Sequence, residues 1–368
     1  MTEAEKQYID LYTEASEAIK EHSAEVMNAV RDRAFEDFRR QGFPTRKVER
    51  YKYTDMEKIF APNYGLNINR IEFPVDPYAA FRCDVPNLST LLYFVVNDAF
   101  YTKRLPNVQP EEGVVIGSLR KAAEEHPELI ARYYARIAKT EEDAITALNT
   151  MLAQDGLFIY VPKNVQMEKC VQIINILRAD VSMMVNRRVL IVMEEGAKAK
   201  FLFCDHTADD HDFLATQVIE AYVGDNASLD LYCMEETHYK NHRVSNVYIE
   251  QQRDSRVNHN VITLHNATAS TWCSRERARS AIAVAASSRT ENSTWTTIRS
   301  STTRCLTARA TSSISMCSTT RRWVLSLDAS LYATEHRRPP RRRPTRISWP
   351  RRRQGCTHSR CWKSMPTT

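Results

Sequence analysis

The sequence predicts a mainly β protein with some α: a right-handed parallel β-helix (β-solenoid) core preceded by an N-terminal helical region. Three observations lead there. From about Ala147, short β runs follow one another with no helix of useful length between them: LFIYV (157–161), VQIINIL (171–177), RVLIVM (188–193), KFLFC (200–204), QVIEAYV (217–223), LDLYCM (229–234), NVYIEQ (246–251) and HNVITLH (259–265). A doubly wound parallel sheet would need crossover helices, so a sandwich, a barrel or a β-helix remain. An internal echo favours the last. EEGAKAKFLFC (194–204), VGDNASLDLYC (223–233) and QRDSRVNHNVI (252–262) each lead from a small-residue turn into an alternating strand, about 29 or 30 residues apart. Units of this kind bury a continuous core only against their neighbours. The third observation is the place where the pattern stops. From Ala267 onward there are nineteen Arg and one Lys against three Glu and one Asp, a balance of +16, which leaves −10 on the first 266 residues of a chain whose total is +6. All five Trp lie beyond that boundary, and only one of the eight Gly does, Gly355. The expected organisation is therefore a helical and mixed region over 1–145, an incomplete β-helix core over 146–266, and a non-native or disordered tail over 267–368.

Before the β runs, residues 2 to about 41 read as two helical segments. Tyr8, Ile9, Leu11 and Tyr12, then Val26, Met27, Val30, Phe35 and Phe38, recur at helix spacing among Glu, Lys and Arg. Gly42 and Pro44 end the second segment. A basic, tyrosine-rich strip follows, TRKVERYKYTD (45–55). It could grip an anionic partner, and a charged, half-buried packing segment accounts for it equally well. Leu91–Val96 is a strand candidate, and helical stretches fall around Ser118–Glu125 and Pro127–Ile137.

A chain of 368 residues suggests two or three folding units. Its first residues, MTEAEKQYIDLYTEA, are acidic where a secretory signal needs a basic and then an apolar stretch, and no run approaches the ~20 apolar residues of a membrane span. A soluble, cytoplasmic protein is expected. Nine cysteines without a CxxC pair fit free thiols in a reducing compartment.

Candidate chemistry is sparse. CDHTADDHD (Cys204, Asp205, His206, Asp209, Asp210, His211, Asp212) holds enough ligand types for a metal site, but a solvated acidic loop between rungs explains it without one. His238, His242, His259 and His265 recur near strand ends, where capping or stacking histidines are commoner than ligands. Cys170, Cys204 and Cys233 fall on expected strand positions and read as small core residues. There is no Gly-rich phosphate loop, nucleophile elbow or HExxH. No catalytic, cofactor-binding or metal-ligating residue is assigned.

Three stretches carry a family resemblance: TRKVERYKYTD after the helical pair, ALNTMLAQDGLFIYVPKNV at 147–165, and RVNHNVITLHN at 256–266. Together they resemble the SufD branch of the SufB/SufD family over the first 266 residues, the ALNT…DGLFIYVP string most specifically. The resemblance implies a β-helix core between helical ends, and a non-catalytic scaffold subunit of the SufBCD iron–sulfur cluster assembly complex. It further implies pairing with SufB through the C-terminal part of the core and with the ATPase SufC through a C-terminal helical domain. The cluster itself would be handled by the complex.

After Asn266 the sequence departs from the family, and a frameshift accounts for the departure. With one base lost, a Thr codon (ACN) hides Asp, Asn, His or Tyr; a Ser codon (TCN) hides Val, Ile, Leu or Phe. Residues 293–304 (STWTTIRSSTTR) restore to QHVDNNTFIDHA, and 354–368 (QGCTHSRCWKSMPTT) to ARLYAQPLLEIYADD. The final Thr367 and Thr368 and a stop fit codons for Asp-Asp-Val-Lys read one base out of frame. The family's functional His follows that stretch in a short His-Gly motif, so this chain is expected to lack it along with the SufC-binding end, and to be impaired. Two other function classes are weighed. A carbohydrate-active β-helix enzyme would need a carboxylate column along one sheet face, which is missing. A nucleic-acid binder using the Arg-rich tail would give only salt-sensitive phosphate attraction.

Overall fold

The computed structural model describes residues 1–52, 54–72, 76–80, 91–106, 110–237 and 240–265, and beyond these the backbone of strands at 267–276, 280–287, 294–295, 308–310, 314–319, 322–327 and 331–333. Three helices open the chain: α1 (Glu3–Glu21), α2 (Glu25–Asn28) and α3 (Arg31–Gln41). Thr2 starts α1 through a capping box with Glu5, satisfying two backbone donors that the first turn leaves over. Where two segments were expected there are three, because a break at residues 29 and 30 separates α2 from α3. Gly42, at φ +63°, ends α3 as expected. Short helices α4 (Met56–Phe60) and α5 (Pro77–Ala80) precede strands β1 (Leu91–Val96), β2 (Ala99–Phe100) and β3 (Val115–Ser118); α6 (Leu119–Glu125), α7 (Pro127–Tyr133) and α8 (Ala144–Leu152) follow.

Helix α8 corrects the reading that β texture begins at Ala147. All nine of its residues are buried. A helix buried on every side, its polar Thr146, Asn149 and Thr150 included, carries no charged, solvent-facing stripe to mark it as a helix in the sequence. Helix α7 likewise stops at Tyr133 rather than Ile137.

The expected β runs then appear as β4 (Leu157–Val161), β5 (Val171–Leu177), β6 (Met183–Met193), β7 (Lys198–Thr207), β8 (Phe213–Val223), β9 (Ser228–Glu236), β10 (His242–Gln251) and β11 (Arg256–His265). Successive strands alternate between two sheets. One sheet holds β1, β5, β7, β9 and β11 side by side, and the other β4, β6, β8 and β10; from β4 to β11 every neighbouring pair is parallel. That arrangement is a β-solenoid with two strands per turn. The register gives the repeat: Val171 faces Phe201 and Phe201 faces Leu231, each 30 residues on, while Leu231 faces His259 after 28. Strands β6 to β11 start earlier than their apolar runs suggest, because polar residues such as Asn186 and Arg187 are held in the ladder by pairing with Thr216 and Gln217 of β8.

Strands β12 (Ala267–Glu276) and β13 (Ser280–Ser287) carry both ladders past Asn266, so the step in composition is crossed by continuous parallel pairing. Residues 354–368, the second restored stretch, lie outside the described residues.

Side chains from both sheets fill the lumen, among them Ile159, Ile173, Ile191, Phe201, Phe203, Ile219 and Leu231, each at most 0% exposed. The helices cover the outer face of the β4–β6–β8–β10 sheet. There Tyr8, Phe38, Phe43, Phe60 and Leu148 pack with Met184, Leu214 and Val244, and Leu119, Ile130 and Tyr134 pack with Phe158, Leu190 and Val192. Among the described residues, no helix is long and apolar enough to cross a membrane.

Candidate functional site

Two clusters of polar side chains are built into this frame, one where the helical layer meets the solenoid and one inside the lumen. The first gathers residues from distant parts of the sequence. Asp143 caps α8 by accepting from Thr146 N at 2.8 Å. Its other oxygen accepts from the Tyr51 hydroxyl at 2.7 Å, and Arg50 stands 3.5 Å away. From β10, Asn246 Nδ2 donates to Asp143 Oδ1 at 3.0 Å, and the Thr146 and Tyr248 hydroxyls share a bond of 2.7 Å. Burial, with the neighbouring Asp143 carboxylate, pushes the Tyr51 phenol far above its ordinary range. Of the two readings of the strip 45–55, this geometry favours the packing segment: Tyr51 is 0% exposed and serves as a latch. Tyr53 lies outside the described residues.

The ALNT…DGLFIYVP string belongs to the same joint. Asn149 donates to Arg187 O at 3.1 Å and to Thr216 Oγ1 at 3.0 Å, and Thr150 Oγ1 accepts from Arg188 at 3.0 Å. Arg188 in turn pairs with Glu220 and lies over the Tyr134 ring at 4.8 Å. Burial raises the Glu220 carboxyl even against that guanidinium. Asp155 accepts from Ser118 Oγ at 2.7 Å and from Arg120 N at 3.0 Å, fixing the start of α6. A Cβ on Gly156 would collide with the carbonyl of Arg188, so only glycine lets β4 lie that close to β6.

The lumen cluster crosses between the sheets. Arg187 of β6 pairs with Asp205 of β7; Arg243 of β10 reaches Asp205 at 3.4 Å and pairs with Glu235 of β9. Burial works to raise the Asp205 carboxyl, and the Arg243 and Arg187 guanidiniums outweigh it, holding the carboxyl below its ordinary value. Nearby, Cys233 Sγ lies 3.8 Å from His259 Nε2. Burial pushes the Cys233 thiol up to about 12, and burial helped by Arg243 brings His259 down to about 4. At neutral pH both are therefore uncharged. Sequence reasoning missed this network; the signal was present as Arg187, Asp205, Glu235 and Arg243 inside otherwise apolar strands.

The CDHTADDHD residues do not converge. Cys204 packs on the outer face with Phe94 and Ile174, Asp205 points into the lumen, and His206 stands 4.0 Å from Glu236. Asp209 accepts from Ala179 N at 2.9 Å and pairs with Arg178, Asp210 pairs with Lys240 at 3.4 Å, and His211 is exposed. Among the described residues no group of three His, Cys, Asp or Glu is placed to hold a metal. Burial lowers the half-buried His242. His265 lies on β11, and His238 falls outside the described residues. Cys204 and Cys233 are core residues as expected, whereas Cys170 sits half-buried just ahead of β5 rather than on a strand, because the ladder begins at Val171.

Comparison with known proteins accounts for this architecture. The family model described as the SufBD protein N-terminal region matches residues 2–173, and that of the SufBD core domain, SUF system FeS cluster assembly, matches 175–302. The iron–sulfur cluster assembly protein SufD of Bacillus subtilis is 29% identical over 185 residues, covering 50% of this chain and 41% of that protein. SufBD family proteins of Synechocystis and of the Arabidopsis thaliana chloroplast are each 32% identical, over 124 and 122 residues, or 32% of this chain and 25% and 21% of theirs. The matches thus span less than half the length of these relatives. With the helical layer and the solenoid matched in order, the chain belongs to the SufB/SufD family of iron–sulfur cluster assembly proteins.

Proposed function

We propose that the chain is a SufD-type subunit of a SufBCD complex: a cytoplasmic scaffold that turns over no substrate and holds its partners SufB and SufC. The observation that carries this reading is the consecutive match of the family's N-terminal and core regions over 2–173 and 175–302, with a SufD among the relatives. The solenoid suits the role physically, since it offers rigid faces and terminal strand edges on which another chain can pair. SufB would pair with the C-terminal part of the core, and the nascent cluster would be cargo of the assembled complex.

The sequence after Asn266 belongs to the same proposal, with the core match itself running on to residue 302, past the expected point of departure. A one-base shift keeps 280–287 (SAIAVAAS) compatible with a strand while replacing the residues a partner would read. The form described here would therefore be impaired in assembly. Complementation tests this: in cells lacking their own scaffold subunit, a frame-restored gene should recover iron–sulfur enzyme activity and the present sequence should not. Failure of the frame-restored gene would overturn the SufD assignment, and full rescue by the present sequence would overturn the impairment.

A further inference from the structure

The lumen of the solenoid is apolar on two sides and polar between them. One apolar cluster includes Ile191, Phe203 and Ile219, and a second consists of Leu177, Ala179, Met183, Val185, Phe213 and Ala215. Between them Arg187, Asp205, Gln217, Glu235, Arg243 and Ser245 form a layer in which each residue is at most 4% exposed. The register sets Arg187, Gln217 and Ser245 side by side on β6, β8 and β10.

Charge in this layer balances, two guanidiniums against two carboxylates. Hydrogen bonding does not. Neither Nε2 nor Oε1 of Gln217 meets a protein partner, nor does Nη2 of Arg187 or Nε of Arg243. Each such buried group forfeits its hydration with nothing in return if no partner satisfies it. A carboxylate could escape that cost by taking up a proton; a glutamine amide cannot titrate. With Asp205 Oδ2, which meets Arg243 only at 3.4 Å, three donor groups and two acceptors concentrated in one layer need a small molecule that both donates and accepts. Because the ionic groups cancel, the layer has no net charge with which to draw in an anion or a metal ion. Water meets these terms, and buried waters typically make about three hydrogen bonds to groups of this kind.

We infer that the lumen holds a cluster of ordered water molecules centred on Gln217 and bonded to Arg187 and Arg243, forming part of the stacking of β6, β8 and β10. The solenoid is then hydrated in its middle and dry on either side. Replacing Gln217 by leucine separates this from a dry lumen. If water bridges the amide to both arginines, Gln217→Leu removes a partner from the cluster and the melting temperature falls by several degrees. If the lumen is dry, the same change removes an unsatisfied amide and the melting temperature rises, which would overturn the inference. A crystal structure of the unmodified full chain supplies a second reading. Solvent density within hydrogen-bond distance of Gln217 and of the Arg187 guanidinium is expected, whereas direct amide–guanidinium bonds with no solvent between them would overturn it.

Discussion

The Tyr51 hydroxyl donates to Asp143 Oδ2 at 2.7 Å across 92 residues of sequence, and both groups are buried. This single bond joins the basic strip to the cap of α8, and Asn246 extends the joint to β10. Tyr51→Phe should therefore destabilise the protein by about 1–3 kcal/mol, the cost of removing one partner from a buried charged acceptor. Urea unfolding followed by far-UV circular dichroism measures it. Loss of less than a few tenths would mean that the strip is not a latch.

The lumen network should be intolerant of half-removal. Arg187→Met leaves Asp205 with one fewer counter-charge in a buried layer, and about 3–5 kcal/mol of stability should go with it. Changing both partners, Arg187→Met with Asp205→Leu, should recover much of that loss, because neither buried charge then remains unmatched. Equal destabilisation by the single and double variants in urea melts would count against a network of coupled charges.

Histidine 259 makes stability depend on pH. Its folded pKa is about 4, against about 6.5 for an unperturbed histidine. Between these values the unfolded chain binds the proton and the folded chain does not, so the contribution is complete above pH 6.5 and is lost as pH falls toward 4. The full difference is on the order of 3 kcal/mol. Burial raises Glu220 and Asp155, which act with the opposite sign, so the comparison must be made against a variant. His259→Gln should flatten the fall between pH 6.5 and 4; unchanged slopes in the two proteins would refute the assignment.

The sequence made the solenoid legible because its turns repeat. Gly196, Asn226 and Asp254 all take positive φ at corresponding corners, and small or polar residues at such corners are visible in a single chain. The joint was not legible in the same way. Nothing near Tyr51 in the sequence points to Asp143 or Asn246, and α8 turns its polar Thr146, Asn149 and Thr150 into the joint, so no solvent-facing polar stripe announces a helix. The lumen network escaped for a related reason: alternation places Cys204 outside and Asp205 inside, so a sequence cluster of ligand types becomes two unrelated environments.

The frameshift reading makes a prediction about DNA. Sequencing the source gene across the codons for Thr263 to Thr271 should reveal one additional base that restores a His-Asn-Gly continuation and an open frame through Asp-Asp-Val-Lys. A gene matching the present sequence base for base would make the Arg-rich tail a property of the protein.

Co-purification with SufB and SufC tests the central claim most directly. The present chain and its frame-restored counterpart would each be co-expressed with both proteins, and subunit ratios read from the isolated complexes. A scaffold subunit altered after Asn266 predicts that the restored chain holds SufB and SufC stoichiometrically while the present chain fails to retain SufC. Stoichiometric SufC on the present chain, or no binding of either protein by the restored one, would contradict it.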